Sequence, residues 1–365
     1  MKIKKIELIF FLPNFSEGGA GKSILKICNK INDKQFKITV ISIGKCYYKN
    51  LFKNNVSVIQ LKSKKTFFAF FDIIKILNNF NKQNTIFISN INYTNTLSCI
   101  FIKLILNYKL VLIERTPLKE LQIFYNSKDF IKKKIIYFLM KVFYRFADKV
   151  IVNSQHTKKI FSKKIKCNLD LIYSPSIDKI KLNNSNRINK KLKIISIGRL
   201  SIEKRYDFLI NAISYLRDVN LEVIILGNGP LKKELKKIIK LKKLSKKIFI
   251  KPYNKDYYKY VKSSNLYINT SDFEGFPNSV VQAINNNKFV LSRDSGGGIN
   301  DIIFDNSIGK IISHDKPKFL ANEINNFFNK QNLKKINNKT LLFKKFTMFL
   351  TKNVSKEYTK IFLNL

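Results

Sequence analysis

Short apolar runs recur along this chain of 365 residues, each followed by a stretch with helical spacing. Residues 6–12, 37–43, 85–89, 110–113 and 149–152 read as buried strands, with helical stretches such as 21–31 and 92–106 between them. The second half repeats the pattern. Strands are expected at 192–197, 221–226, 248–250, 266–269 and 289–291, and helices at 203–216, 231–241, 255–262 and 278–286. Continuous apolar runs without alternation suit strands covered on both faces. Strand–helix alternation dictates βαβ units and parallel sheets. The chain therefore reads as α/β, with two doubly wound domains, as its length suggests at roughly 150 residues each. Residues 173–191, with Pro175 and the polar run 183–190, read as the linker. The domains are set at 1–180 and 191–340, with a helical segment at 341–365. Such a pair leaves a cleft at the carboxyl ends of the strands, where ligands bind in doubly wound folds.

Composition removes several function classes. Only 7 of the 69 basic residues are Arg. A nucleic-acid partner is not expected, because recognition of phosphates and base edges favours the planar guanidinium fork. A formal charge of +45 suits an anionic membrane surface better. Most of the lysines are read as solvated, and the Asn, Ile and Phe bias as genome composition. Cys28, Cys46, Cys99 and Cys167 form no CxxC pair, which argues against a zinc site or a disulfide framework and fits a reducing cytoplasm. Lys103 and Lys109 interrupt the longest apolar window, 96–113, so no transmembrane helix is expected. The amino-terminal MKIKKIELIFFLP holds Glu7 and lacks a cleavage site, so it is read as a first strand rather than a signal peptide. The stretch 128–146 sets Lys132, Lys133, Lys134 and Lys141 among apolar residues at helical spacing. That fits either a membrane-surface helix or an ordinary amphipathic helix packed on the sheet.

Several turns carry chemistry. Gly18-Gly19-Ala20-Gly21-Lys22-Ser23 mimics a P-loop, but Ser16 stands where that loop needs Gly, and the strand at 85–89 runs into Asn90 rather than a magnesium-binding Asp. It reads as a glycine turn opening a helix, whose free N–H groups can face an anion. Gly198-Arg199-Leu200-Ser201-Ile202-Glu203-Lys204-Arg205 follows a strand. Arg199 and Lys204 can converge on a diphosphate and stabilise it as a leaving group, or decorate a surface turn. Leu226-Gly227-Asn228-Gly229-Pro230 is a tight turn into a helix, with or without a ligand. In SDFEGFPNSVVQA, residues 271–283, Glu274 sits in a Gly/Pro turn and Gln282 lies eight positions on, in a helix. Arg293-Asp294-Ser295-Gly296-Gly297-Gly298 is a glycine loop before a short helix near Asn300. Glu114-Arg115-Thr116-Pro117 ends a first-domain strand and offers Arg115 to an acceptor or a phosphate. His156 and His314 are read as incidental, and no Ser-His-Asp or Cys-His set is credible.

Taken in order, these turns closely resemble the donor-site elements of retaining glycosyltransferases of family 4, the group 1 type, which have the GT-B fold of two Rossmann-like domains. The resemblance spans nearly the whole chain and is strongest from 192 to 303. It implies that 341–365 crosses back to the first domain, that 191–340 binds a nucleotide-sugar donor, and that 1–180 binds the acceptor. It implies that Arg199 and Lys204 hold the donor diphosphate, that Glu274 contacts hydroxyls of the transferred sugar, and that amides at Gly275 and Phe276 meet the phosphates. Gly227 and Gly229 match the nucleotide-side turn, and Gly18 and Gly19 the first-domain glycine turn close to donor and acceptor. Two positions depart from the family: Arg205 replaces a Gly, and Gln282 replaces the acid that holds the ribose. A Gln oxygen also accepts, but it is neutral and its other end donates, so the ribose contact is expected to be weaker or differently oriented. Gln282 is also the one support for an inactive relative that partners an active transferase. The resemblance further implies a hexosyl- or N-acetylhexosaminyl-transferase, a UDP-sugar as donor, no metal, and a lipid-linked or oligosaccharide acceptor. Its setting would be bacterial surface polysaccharide assembly, in the cytoplasm at the inner face of the plasma membrane.

Overall fold

The computed structural model describes residues 5–15, 18–181, 191–254, 256–329 and 339–365. The chain forms two compact units, Met1–Asp178 with Met348–Leu365, and Lys179–Thr347. The linker run 183–190 and Ser16 lie outside the described residues, as do Lys255 and part of the carboxyl-terminal segment.

The first unit holds β1 (Ile6–Phe11), β2 (Phe36–Ile43), β3 (Val56–Leu61), β4 (Thr85–Asn90), β5 (Lys109–Glu114), β6 (Lys149–Val152) and β7 (Leu169–Leu171). The sheet order is β3-β2-β1-β4-β5-β6-β7, with every pairing parallel. The amino-terminal apolar run is thus a central strand, pairing Ile9 with Thr39 on one side and Phe87 on the other. Successive side chains feed opposite cores. Ile9 and Phe11 join Phe87, Leu110 and Leu112 on one face. Leu8 and Phe10 join Val40, Ile88 and Val111 on the other. Helices Thr66–Leu77 and Ser127–Phe143 and the segment 92–105 cover the first face. Gly19–Cys28 and the last helix, Thr351–Leu363, cover the second. Phe362 meets the rings of Phe10 and Phe36 at 6.1 and 6.3 Å, which fixes the last helix to this unit.

The second unit holds β8 (Leu192–Ile197), β9 (Leu221–Leu226), β10 (Ile248–Lys251), β11 (Leu266–Asn269), β12 (Phe289–Arg293) and β13 (Gly309–Ile312), ordered β10-β9-β8-β11-β12-β13. In both sheets the order reverses beside the first strand, the arrangement of doubly wound nucleotide-binding folds. Leu192, Ile194, Val223, Ile225 and Ile268 pack with helix Tyr206–Ile213 in its core.

The sequence reading missed β3, β7 and β13, and all three are edge strands. An edge strand is covered less completely, so it lacks the continuous apolar run that marks the interior ones. Two helices also differ from expectation. The 203–216 stretch breaks at Arg205 into a 3-10 turn, Ile202–Lys204, and the helix Tyr206–Ile213. The 92–106 stretch is α-helical over Asn92–Ser98 and π-helical over Cys99–Ile105. No helix among the described residues is long and apolar enough to cross a membrane.

Candidate functional site

In the second unit the turns that follow β8, β9, β11 and β12 lie at the carboxyl ends of adjacent parallel strands, where doubly wound sheets bind ligands. The first two turns are laced together. The Gly198 N–H donates to the Leu226 carbonyl (3.0 Å), and the Leu200 N–H to that of Asn228 (2.9 Å). The Leu231 N–H returns to the Leu200 carbonyl (3.0 Å). A Cβ at Gly227 would collide with the Gly198 carbonyl oxygen, and one at Gly229 would lie 2.6 Å from the Leu200 nitrogen. Close approach of one backbone to another is therefore enough to require both glycines.

This lacing presents Arg199 and Lys204 on either side of the β8 turn. Arg199 is exposed, with no ion pair among the described residues. Lys204 Nζ contacts Glu274 Oε1, bringing the cation of one motif against the acid of another. Ser271 Oγ donates to the same carboxylate oxygen (2.8 Å), and Thr270 Oγ1 donates to the Lys204 carbonyl (2.8 Å). Both ends of the Lys204–Glu274 pair are about one-fifth exposed.

The departure at Arg205 now has a physical account. Its backbone is left-handed, at φ 49 and ψ 44, a conformation that glycine adopts without cost. Arg205 stays there with its guanidinium bonded to Asp207 (3.1 Å) and Asp272 (3.1 Å). Left-handed backbone costs an ordinary residue about 1–2 kcal/mol, and part-exposed ion pairs return about 0.2–1 kcal/mol each. We expect Arg205→Gly to change stability by less than about 1 kcal/mol, read as a nearly unmoved urea midpoint. A loss of several kcal/mol would show that the ion pairs dominate.

Asp272 ties three turns together. Its carboxylate also accepts from Arg293 Nη1 (2.6 Å), and its N–H donates to the Glu203 carbonyl (2.8 Å). Arg293 is nearly buried, lies over the Phe208 ring at 4.7 Å and bonds Asp315 (2.5 Å). Asp272 is thus held by two guanidiniums and Glu274 by Lys204. Among the described residues no cluster of His, Cys, Asp and Glu is arranged to hold a metal. The sequence reading had not assigned roles to Asp272 or Arg293. Their pairing comes from the adjacency of β11 and β12 in the sheet, which the order of residues along the chain does not display.

The glycine loop closes over the same turn. Gly297 is left-handed (φ +56), and a Cβ there would strike the Glu274 carbonyl oxygen, while the Gly298 N–H donates to the Gly275 carbonyl (2.7 Å). Gly275 and Phe276 are buried. They lead into the helix Asn278–Asn285, on which Gln282 is half-buried.

In the first unit, Gly18 is the residue before the helix Gly19–Cys28, and both glycines are exposed. The P-loop mimic supplies a helix start. Lys22 and Lys26, the latter in the helix's last turn, are held below the usual lysine range by burial, and Lys22 further by its neighbour Lys26. Arg115 leaves the end of β5, and its Nε donates to Asn90 Oδ1 (3.1 Å) at the end of β4. Its Nη2 is buried without a hydrogen-bond partner, and burial lowers its pKa. The preceding Glu114 is buried, accepts from Tyr144 Oη (2.9 Å) and Thr116 Oγ1 (2.9 Å), and is pushed up to about 7 by loss of solvent. The folded chain therefore keeps this proton over a range where the unfolded chain, near 4.5, has lost it. Glu114 thus lowers stability progressively as pH rises from about 4.5 to about 7, with no further change above. Glu114→Gln should gain stability relative to the parent across that window, and urea unfolding at its two ends checks the sign.

Residues 178–340 match the family model of glycosyl transferases group 1. The chain is 31% identical over 192 residues to an uncharacterized glycosyltransferase of Methanocaldococcus jannaschii, an alignment covering 49% of this chain and 47% of that one. It spans about half the length of that relative. It is 25% identical over 347 residues to an alpha-1,4-N-acetyl-D-galactosaminyltransferase of Campylobacter jejuni, whose name includes a glycan on PP-undecaprenol. That alignment covers 90% of this chain and 91% of the relative. Among solved structures, Anabaena HepE in complex with UDP and glucose superposes with a TM-score of 0.78 at 17% identity, over 99% of this chain and 100% of that one. The two Rossmann-like units are those of the GT-B fold.

Proposed function

We propose that this glycosyltransferase, whose residues 178–340 match the group 1 family, moves a sugar from a nucleotide-diphosphate donor with retention of configuration. The observation that carries the reading is the Lys204–Glu274 pair beside the exposed Arg199 at the end of β8. It sets two cations and a hydroxyl-accepting carboxylate within one group of turns. The Campylobacter relative and the UDP in the HepE complex favour a UDP-sugar and a lipid-linked or oligosaccharide acceptor.

In this reading Arg199 and Lys204 neutralise the departing diphosphate, so no metal is required. Glu274 orients the sugar through its hydroxyls, the Gly275 and Phe276 amides meet the phosphates, and Gln282 accepts from the ribose. The bond from the anomeric carbon to the phosphate oxygen breaks, and one to the acceptor oxygen forms on the same face. The acceptor proton passes to the departing phosphate. Arg115, with its unpartnered Nη2, serves the acceptor, and the Gly18-Gly19 turn serves donor and acceptor. The reaction belongs to family 4 and to surface polysaccharide assembly, with the enzyme peripheral at the inner face of the plasma membrane.

Gln282→Glu is expected to keep or raise donor affinity, by up to roughly 10-fold for a charge-assisted bond in place of a neutral one. Calorimetric titration with the donor reads this, and a large loss would mean that the site has adapted to Gln. The reading itself is tested with an α-linked UDP-sugar and an acceptor carrying a free hydroxyl, following the anomeric proton by NMR. An α-linked product is expected. A β-linked product would overturn retention, and absence of both transfer and donor hydrolysis would favour the inactive alternative.

A further inference from the structure

The helix Ser127–Phe143 carries two apolar faces. Ile136 and Met140 enter the core on the sheet. On the far side Ile131, Ile135 and Phe138, spaced i, i+4, i+7, remain 57%, 52% and 64% exposed. A surface helix ordinarily buries its single apolar stripe, so a second stripe this exposed marks a partner. Cations border it. Lys134, Lys141 and Arg145 recur at i, i+7, i+11 in the neighbouring row, and all three are exposed. The helix has one acid, Asp129, already paired with Lys133 at 2.9 Å. The segment 92–105 packs beside this helix, and beyond it the helix Thr66–Leu77 exposes Phe67, Phe68 and Phe71, with Phe67 and Phe71 edge-on to the ring of Phe101. The sequence had offered a sheet-packed helix or a membrane-surface helix as alternatives. The packing meets the first and leaves a separate face for the second.

We infer that this face of the first unit docks on the headgroup layer of an anionic phospholipid bilayer. Ile131, Ile135 and Phe138 enter the acyl boundary, and Lys134, Lys141 and Arg145 lie among the lipid phosphates. Charge selects this occupant over a second copy of the chain, because two chains at +45 would bring their own lysines together. The inference rests on the reading of a transferase that meets a lipid-linked acceptor.

The test is flotation of the full chain with vesicles of phosphatidylcholine alone or mixed with phosphatidylglycerol. Binding to the mixed vesicles only, weakened by salt, is expected. Lys134→Gln/Lys141→Gln should reduce partition by roughly 25-fold, and Ile131→Ser/Ile135→Ser/Phe138→Ser should abolish it even at low salt. Unchanged thermal unfolding and unchanged transfer to a water-soluble acceptor show that both variants fold. Failure of the parent chain to float, or variants that float like the parent, would overturn the docking face while leaving the transferase reading standing. So would a dimer that the triple variant dissociates in sedimentation. Loss of transfer in the parent with flotation intact would instead strike the functional reading.

Discussion

Glu274→Ala is expected to lower sugar transfer by on the order of a thousand-fold while leaving the unfolding midpoint close to that of the parent chain. The asymmetry follows from where the carboxylate sits. Glu274 is about one-sixth exposed, lies on a turn between β11 and a helix, and is bonded by Lys204 and Ser271. Truncation frees a part-exposed lysine that water can resolvate, a modest structural loss. The loss to catalysis is larger. In the proposed function, Lys204, no longer held by its partner, and a sugar whose hydroxyls have lost their acceptor would both drift from the reacting geometry, where small misplacements cost orders of magnitude. Glu274→Gln keeps one acceptor and should fall between the two. Steady-state kinetics with a saturating donor reads the effect, and near-normal turnover in the alanine variant would remove Glu274 from the site.

Gly227→Ala destabilises the second unit by about 3 kcal/mol, through overpacking between two rigid turns. The added methyl meets a backbone carbonyl, that of Gly198, which cannot rotate away like a side chain. Relief requires the β8 and β9 turns to separate, breaking the Gly198 and Leu200 hydrogen bonds that place Arg199. Donor affinity should therefore fall together with the urea midpoint. An alanine variant of parental stability would show that the turns are looser than their hydrogen bonding indicates. The same contact explains why the glycines of this motif are poor evidence of ligand contact taken alone, since lacing one turn to the next already demands them.

How much of this was legible beforehand follows from what each residue does. Interior strands such as β8, β9 and β11 announced themselves because both faces are covered and the run is unbroken. The edges β3, β7 and β13 did not, because they are covered less completely, with β7 only partly buried and β3 and β13 each holding exposed positions. Glu274, Arg199 and Lys204 were legible as a resemblance of motifs, but the contact of Lys204 with Glu274 was not, because the two lie 70 positions apart and are joined only by strand order. Arg205 could be seen as a departure, whereas its left-handed backbone and its bond to Asp272 belong to the fold. Asp272 and Arg293 escaped notice because an ion pair at the ends of neighbouring strands has no signature along the chain. The helix Thr66–Leu77 escaped for the opposite reason, since TFFAFFDIIKIL is apolar almost all round and shows little one-sided periodicity.

The central claim is that the second unit holds a nucleoside diphosphate sugar through Arg199, Lys204 and Glu274. The most direct measurement is the unfolding midpoint of the full chain with a chelator present, titrated with UDP-, GDP- and ADP-sugars in turn. A saturable rise with one nucleotide class, UDP being expected, that is lost in Arg199→Ala/Lys204→Ala agrees with the account. Protection by none of the three, or equal protection of the double variant, contradicts it.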